Sequence, residues 1–208
     1  VSMENSQSHR NSGKMESFNQ LNSQLVNENV YAILPDKGGN LLLGTLSALV
    51  SFNPEKKSFT TIDKEKDGTP FTSQRITILF RDSHKRLWVG GEEGISVFQQ
   101  EGIEIEKVPI LPESSVTKTF TNCIYEAANG IIWVGTREGF YCFNEKEKKI
   151  KRYTTANGLP NNVVYGILED TFGRLWVSTN RGISCFNPET ERFRNFTESD
   201  GLQSNQFN

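Results

Sequence analysis

One ten-residue segment occurs four times along the chain at nearly constant spacing. Its clearest copies surround Trp88, Trp133 and Trp176, each preceded by Leu or Ile and followed by Val and then Gly or Ser. The first copy has Leu42 in place of the tryptophan, and successive anchors lie 46, 45 and 43 residues apart. A period in the low-to-mid forties, with one large apolar anchor and flanking glycines, indicates a repeat architecture.

The four copies align without a gap from twelve residues before each anchor to twenty after it. Aliphatic residues stand nine before the anchor and phenylalanine stands ten after it: Ile33, Leu79, Ile124 and Ile167, then Phe52, Phe98, Phe143 and Phe186. Short apolar or alternating runs bounded by turn residues predict strands. In the last unit these strands are predicted at 163–169, 175–178, 183–186 and 193–196. Four short antiparallel strands per unit are typical of a β-propeller blade.

The predicted fold class is therefore all-β, a β-propeller made of four-stranded antiparallel blades. Four complete blades are predicted at about 29–72, 73–117, 118–160 and 161–204, and the last residues to 208 match the start of a further one. Residues 1–28 are predicted to be a polar leader followed by the outer strand of a preceding blade, at 14–21. Because both ends resemble repeat sequence, we expect an open arc of a larger propeller rather than a closed four-bladed ring.

The anchors and their glycines are predicted to be scaffold. Tryptophan in the second strand is expected to pack between blades, where burial removes about 150–250 Å² from water. The glycine two residues later is expected to let the next blade approach, and Gly94, Gly139 and Gly182 are expected to have positive φ. An aromatic platform for a sugar ring is the alternative for these tryptophans, but recurrence in every unit favours architecture.

Composition excludes some functions. The 23 Lys and Arg against 25 Asp and Glu leave a formal net charge of −2, so no basic field points to nucleic acid. The sequence contains no run of 18 apolar residues, so membrane insertion by this segment is not predicted. Cys123, Cys142 and Cys185 are predicted to be small buried hydrophobic residues, which leaves the redox compartment open.

Positions that differ between the copies are the candidates for ligand binding. In a propeller, the turn between the second and third strands shares one face with the links between blades. That face is predicted to carry Arg75, Glu92, Asn122, Arg137, Glu138, Asn162, Asn180 and Arg181, with turn hydroxyls such as that of Thr179. Amides, guanidinium groups and carboxylates suit a hydroxyl-rich or anionic ligand such as an oligosaccharide. Ordinary solvated turn residues are the alternative for each of them.

Catalytic patterns are absent from the sequence. His9 and His84 are the only histidines, and no zinc-protease, Ser-His-Asp, Walker or dinucleotide-binding motif is present. Glu92 and Glu93 are adjacent, which makes them a weak candidate for a glycosidase pair. The segment is therefore predicted to be non-enzymatic, with no metal and no cofactor.

The repeat resembles a known family. The pattern Asp170-x-x-Gly173-x-Leu175-Trp176-Val177-x-Thr179-x-x-Gly182-Ile183, followed by Phe186-Asn187 and Gly201-Leu202, is similar to the two-component regulator propeller repeat. Residues 82–98 and 127–143 resemble it nearly as well, and 36–52 has lost the tryptophan and one glycine.

This resemblance implies a seven-bladed propeller in the periplasmic sensor region of a hybrid two-component histidine kinase. Such regions sense glycan breakdown products and signal through a membrane helix to kinase domains. The implied setting is the periplasmic part of an inner-membrane protein, with an oligosaccharide ligand, the remaining blades of the same protein as partners, and histidine kinase activity outside this segment. Dimerisation of the receptor is left open.

Three functions remain open at this point. The leading one is a ligand-sensing module of a signal-transducing receptor. The second is a propeller enzyme, such as a polysaccharide lyase or glycosidase, and the third is a protein-interaction scaffold of the WD-repeat kind.

Overall fold

Sixteen strands in four separate sheets make up the computed structural model over the residues it describes, 17–18, 29–71, 75–109, 118–204 and 206. Every sheet is antiparallel, and its four strands lie side by side in chain order. The all-β prediction of four-stranded antiparallel blades is therefore confirmed. The predicted outer strand at 14–21 falls, apart from Ser17 and Phe18, outside the described residues.

The strands are named here in chain order. Blade A contains β1 (Val30–Pro35), β2 (Leu41–Thr45), β3 (Leu49–Asn53) and β4 (Ser58–Ile62). Blade B contains β5 (Ile76–Arg81), β6 (Leu87–Gly91), β7 (Gly94–Glu101) and β8 (Glu104–Lys107). Blade C contains β9 (Thr121–Glu126), β10 (Ile132–Thr136), β11 (Phe140–Asn144) and β12 (Lys149–Tyr153). Blade D contains β13 (Val164–Glu169), β14 (Leu175–Thr179), β15 (Gly182–Asn187) and β16 (Arg192–Phe196).

Each seam between blades has its own apolar core. Trp88 is fully buried between blades B and C, with its ring edge-on to Phe143 at 6.1 Å. Trp133 lies in the corresponding core between blades C and D. Trp176, in blade D, is only partly buried and stacks on Phe196 at 5.5 Å. The predicted packing between blades is thus confirmed for Trp88 and Trp133.

Glycine after the anchor lets the blades approach closely. A Cβ on Gly44 would lie 2.6 Å from Cγ2 of Ile76, the first residue of β5 in the next blade. In blade D this position is Ser178, and the glycine is found instead at its strand partner, Gly166. In each blade, the first or the second strand therefore supplies a glycine at this pair of positions.

The turn glycines have the expected backbone conformation. Positive φ is found at all three predicted positions: Gly94, Gly139 and Gly182. At Gly182, where φ is 90°, a Cβ would also lie 2.1 Å from the carbonyl oxygen of Phe196. Glycine is required there both by backbone conformation and by space.

The outer faces of blades A and D expose residues that are covered at the other seams. Ile124, nine residues before Trp133, packs into the core of the preceding blade, whereas its equivalent Ile33 in blade A is 63% exposed. Phe80, eight before Trp88, packs towards the following blade, whereas its equivalent Leu168 in blade D is 69% exposed. Within the described residues, blade A has no preceding blade and blade D has no following one.

The three cysteines are free thiols, and two of them, Cys123 and Cys142, pack against the core between blades C and D. Cys123 and Cys142 are partly buried, and Cys185 is buried. Burial raises the pKa of the Cys123 thiol to about 12 and that of Cys142 to about 11. They therefore remain protonated near neutral pH and pack as small apolar groups.

A charged network crosses the seam between blades B and C. The carboxylate of Asp82 accepts hydrogen bonds from Trp88 Nε1 at 2.8 Å and from Arg86 Nε at 2.7 Å. The outer nitrogens of Arg86 donate to both carboxylate oxygens of Glu145 in blade C, at 2.7 and 2.8 Å. This bidentate pair fixes the two blades against each other.

Acid is expected to weaken that seam. Hydrogen bonds from Arg86 lower the pKa of Glu145 in the folded protein. The pair therefore contributes its full stability above the pKa of glutamate in the unfolded chain. This stability is lost as the pH falls through the lower pKa of the folded state. Thermal unfolding midpoints measured from about pH 6 to about pH 3 should therefore fall more steeply for the parent chain than for Glu145→Gln. Equal slopes would show that Glu145 contributes no pH-dependent stability.

Candidate ligand-binding face

Turns and links at one end of the blades are joined by backbone hydrogen bonds. In the link from blade A to blade B, the amide of Arg75 donates to the carbonyl of Leu46, in the β2–β3 turn, at 2.7 Å. The amide of Arg137, in the β10–β11 turn, donates to the carbonyl of Phe120, in the link from blade B to blade C, at 3.1 Å. These contacts place turn residues and link residues beside one another, as a propeller face requires.

Two arginines and two aromatic rings form a cluster on this face. The guanidinium carbon of Arg137 lies 4.0 Å from the ring centroid of Phe120, and that of Arg75 lies 6.0 Å from the same centroid. Arg75 also lies 5.1 Å from the ring centroid of Tyr31. We call Tyr31, Arg75, Phe120 and Arg137 the arginine–aromatic cluster. Its rings hold the two guanidinium groups by cation–π attraction.

Arg75 is held in an unusual state. Its φ is 47°, a region that residues other than glycine seldom adopt. Its carbonyl fits against Gly91, where a Cβ would lie only 2.1 Å away. Its Nε–H is buried and has no hydrogen-bond partner among the described residues. A buried donor without an acceptor costs about 1–3 kcal/mol, so this backbone conformation and this orphaned donor call for a functional explanation.

The remaining predicted site residues fall into two groups. Asn122 and Asn162 are engaged in the scaffold, since Asn122 Nδ2 donates to the carbonyl of Val164 at 2.8 Å and Asn162 Oδ1 accepts from the amide of Thr155 at 2.9 Å. The side chains of the others, Glu92, Glu138, Asn180 and Arg181, make no hydrogen bond to the cluster within the described part of the chain. Glu92 is nevertheless adjacent to it, because its amide donates to the carbonyl of Arg75 at 3.4 Å.

Thr179 belongs to the scaffold. It is fully buried, and its hydroxyl donates to the carbonyl of Gly182 and accepts from the amide of Arg181, both at 3.0 Å. The expectation that this hydroxyl lies on the ligand face is therefore wrong. Sequence reasoning also missed Tyr31 and Phe120. The signal available for both was an aromatic residue next to the start of a first strand.

Comparison with known families explains the repeats. The sequence model of the two-component regulator propeller family matches residues 114–138 and 158–181, which include the β10 and β14 anchors. The chain carries two-component regulator propeller repeats. Regulator propeller repeats of this kind account for the recurring pattern around Trp133 and Trp176.

Relatives of this regulator propeller are much longer proteins. A histidine kinase, P4, of Formosa agariphila is 30% identical over 161 residues, which are 74% of this chain and 12% of that protein. The extracellular domain of a B. thetaiotaomicron protein described as a hybrid two-component system is 26% identical, with a TM-score of 0.71. That match covers 88% of this chain and 24% of the solved one, so the chain spans a minor part of each relative.

More distant structures share the fold alone. PorZ, a surface component of the type-IX secretion system of Porphyromonas gingivalis, has a TM-score of 0.66 at 15% identity, over 93% of this chain and 31% of its own. Virginiamycin B lyase of Staphylococcus aureus has a TM-score of 0.55 at 18% identity, over 81% and 55%. A propeller of this shape is thus compatible with assembly, sensing and catalytic roles.

Two kinds of feature are absent from the described residues. None of their helices is long and apolar enough to cross a bilayer. In the same residues, no group of three His, Cys, Asp or Glu side chains is placed to hold a metal ion.

Proposed function

We propose that this chain is part of the ligand-sensing propeller of a hybrid two-component histidine kinase, exposed to the periplasm and responding to an oligosaccharide. The propeller repeats and the similarity to a histidine kinase and to an extracellular domain support the sensor role. In this proposal the segment binds and does not catalyse, and any kinase activity belongs to other parts of the protein.

One observation carries the ligand class, the orphaned Nε–H of Arg75 in the arginine–aromatic cluster. Arginine presents Nε and one outer nitrogen as a planar fork that matches the two oxygens of a carboxylate. Arg137, 4.0 Å from the centroid of the same Phe120 ring, adds a second positive charge. The exposed aromatic surface of Tyr31 suits the apolar face of a sugar ring. We infer that the ligand is a glycan fragment carrying a carboxylate, that is, a uronic acid unit.

A backbone amide in blade D lacks the acceptor that its equivalents in blades B and C have, which supports the presence of a following blade. In two seams, a glutamate at the end of a first strand accepts a backbone amide from the turn of the preceding blade: Ser83 to Glu126 at 2.7 Å and Ala128 to Glu169 at 2.9 Å. The equivalent amide in blade D is that of Thr171, and it has no acceptor among the described residues.

Blade A does not match this requirement. Its residue at the position of Glu126 is Pro35, which has no side-chain acceptor. A closed four-bladed ring or a second copy of the chain would therefore supply no carboxylate here, although the seam between blades A and B, with Arg81 at this position, also forms without one. We propose that a following blade covers Leu168 and carries an acidic residue seven positions before its own anchor. Sequencing of the adjoining segment checks this, and a residue without an acceptor at that position would contradict it.

Removal of Arg75 is expected to abolish measurable affinity for acidic oligosaccharides. Isothermal titration of the complete sensor region with oligogalacturonate should give saturable heat, and neutral xylo-oligosaccharides should give much less. Arg75→Lys keeps the charge but loses the planar fork, so it should weaken binding by about 10- to 100-fold, given roughly 1.5–3 kcal/mol per charged hydrogen bond.

Arg192→Ala provides the matched control, because Arg192 is an exposed arginine of β16. It should leave the affinity unchanged. No heat with any acidic glycan, or equal losses in the Arg75 and Arg192 variants, would reject the acidic-glycan site. Binding of neutral glycans that is insensitive to Arg75 would retain a sensor role but move the site elsewhere.

A further inference from the structure

The seam between blades C and D lacks the charged network found between blades B and C. At the positions of Asp82, Arg86 and Glu145, this seam has apolar residues: Ala127, Ile131 and Pro188. All three members are replaced together, so no single charge is left buried without its partner. In blade B the aspartate accepts a hydrogen bond from the tryptophan indole, and blade C retains this tryptophan as Trp133.

This replacement leaves one donor without its acceptor. The indole N–H donates to the aspartate at 2.8 Å in blade B and at 3.0 Å in blade D. Trp133 is 2% exposed, and its indole N–H has no hydrogen-bond partner among the described residues. The nitrogen nevertheless keeps some accessible surface, since Arg75 Nε alone is a fully buried side-chain polar atom without a partner in the described part of the chain. An acceptor from outside the chain can therefore reach the Trp133 N–H and gain a hydrogen bond.

A hollow of about 270 Å³ lies at the same place. Its wall includes Ala127 and Trp133 from blade C and Phe172 and Pro188 from blade D. The small side chain of Ala127 occupies the position of the missing carboxylate. The volume lies just below the roughly 300–1,000 Å³ of sites for drug-sized ligands, so the hollow suits a single ring and not a chain.

Hydrogen-bonding groups in the wall define what the hollow accepts. The side-chain oxygens of Asn129 and Asn187 already accept backbone amides, at 3.0 and 2.9 Å, which leaves their NH₂ groups as donors. The charged groups in the wall are the carboxylates of Glu169 and Glu189 and the guanidinium of Arg174. Because Arg174 is already paired with Asp170 at 2.7 Å, the two carboxylates disfavour an anion. Phe172, 80% exposed, adds an aromatic surface. Donors, carboxylates and an aromatic ring together match a neutral hydroxyl-bearing ring.

We propose that the hollow between blades C and D binds a neutral monosaccharide unit, with a sugar oxygen accepting the Trp133 indole N–H in place of the missing aspartate. This site is built from the ends of first strands and the turns that follow them, whereas the arginine–aromatic cluster is built from the β2–β3-type turns and the links between blades. It therefore does not depend on the acidic-glycan proposal. An uncharged sugar bound here would hold blades C and D together at the seam where the charged network is missing.

The indole N–H of Trp133 reports on binding directly. In the ¹⁵N-labelled chain the three indole signals are assigned from Trp88→Phe, Trp133→Phe and Trp176→Phe. Titration with methyl β-D-glucopyranoside and methyl β-D-xylopyranoside should shift the Trp133 signal saturably and leave that of Trp88 in place. Sodium glucuronate should shift it less at equal concentration, because of the two carboxylates.

Ala127→Asp is expected to remove the response, since the new carboxylate fills the hollow and accepts the indole N–H as Asp82 does in blade B. An unchanged Trp88 signal would show that this variant is folded. Ala156→Asp adds the same charge to an exposed link residue and should retain the response. Phe172→Ala, which removes an exposed ring, should weaken the binding several-fold without unfolding the chain.

Three results would overturn this assignment. The first is no saturable shift of the Trp133 indole with either neutral glycoside. The second is a shift that persists in Ala127→Asp, and the third is an equal shift of all three indoles, which would indicate a solvent effect. Arg75→Ala should leave the titration unchanged, so failure of this site and failure of the acidic-glycan site are separable.

Discussion

Arg86→Ile is expected to lower the free energy of unfolding by about 3–5 kcal/mol, the usual cost of removing one partner from a buried ion pair. The side chain of Asp82 is fully buried, and Arg86 is its only cationic partner among the described residues. Without the guanidinium, the carboxylate retains two donors, the indole of Trp88 and the backbone amide of residue 86. A buried negative charge would then have hydrogen bonds but no counter-charge.

The double variant Asp82→Ala/Arg86→Ile is expected to recover about half of that loss. It reproduces in blade B the residues that blade C has at Ala127 and Ile131. Glu145, which is 42% exposed, would be left solvated at low cost. The remaining deficit should be about 1–3 kcal/mol, for the indole N–H of Trp88 left unpaired. Urea unfolding of the parent, both single variants and the double variant measures the coupling.

Blade D provides the control for this cycle. Arg174 makes the same contact with Asp170, at 2.7 Å, but its side chain is 41% exposed and no residue of a following blade is described beside it. Arg174→Ile should therefore cost less than about 1 kcal/mol. A double variant no more stable than Arg86→Ile, or an equal cost for Arg174→Ile, would show that the network does not act as a unit.

Repetition made the fold predictable from the sequence. In blade D, where the pattern is most regular, each predicted strand lies within one residue of the observed strand, from β13 (Val164–Glu169) to β16 (Arg192–Phe196). The turn glycines were equally predictable. A positive φ favours glycine, and glycine is visible in the sequence at Gly94, Gly139 and Gly182. Local periodicity and backbone geometry therefore determine the blade.

Contacts between blades were not predictable in the same way. The regular spacing of Asp82 and Trp88 is visible, but Glu145 joins them from 59 residues beyond Arg86. The arginine–aromatic cluster likewise draws Tyr31, Arg75 and Arg137 from three blades. The hollow beside Trp133 arises from the absence of a side chain at Ala127, and its significance depends on how the next blade packs against it. These features depend on the angle between sheets, which the repeat pattern does not encode.

Gly135→Ala is expected to lower the free energy of unfolding by about 3 kcal/mol, because it adds a methyl group at the seam between blades C and D. A Cβ at this position would lie 2.4 Å from Sγ of Cys123 in the same blade and 2.5 Å from Cγ1 of Val164 in blade D. Both neighbours are short side chains on the first strands of their blades, β9 and β13. Val164 Cβ would also lie 3.1 Å away, so a change of rotamer at Val164 does not remove the whole contact. The strain must be relieved by moving the two blades apart.

Two comparisons separate the causes of that loss. Gly90→Ala adds the same methyl group at the seam between blades B and C, where the nearest atom is 3.1 Å away, and should cost less than about 1 kcal/mol. Gly135→Ala/Cys123→Gly reproduces the arrangement of blade D, where Ser178 faces Gly166. It should regain the part of the loss due to Cys123 and keep the part due to Val164. Urea midpoints of the four chains measure both parts, and equal costs for Gly135→Ala and Gly90→Ala would mean that close approach of the blades does not limit stability.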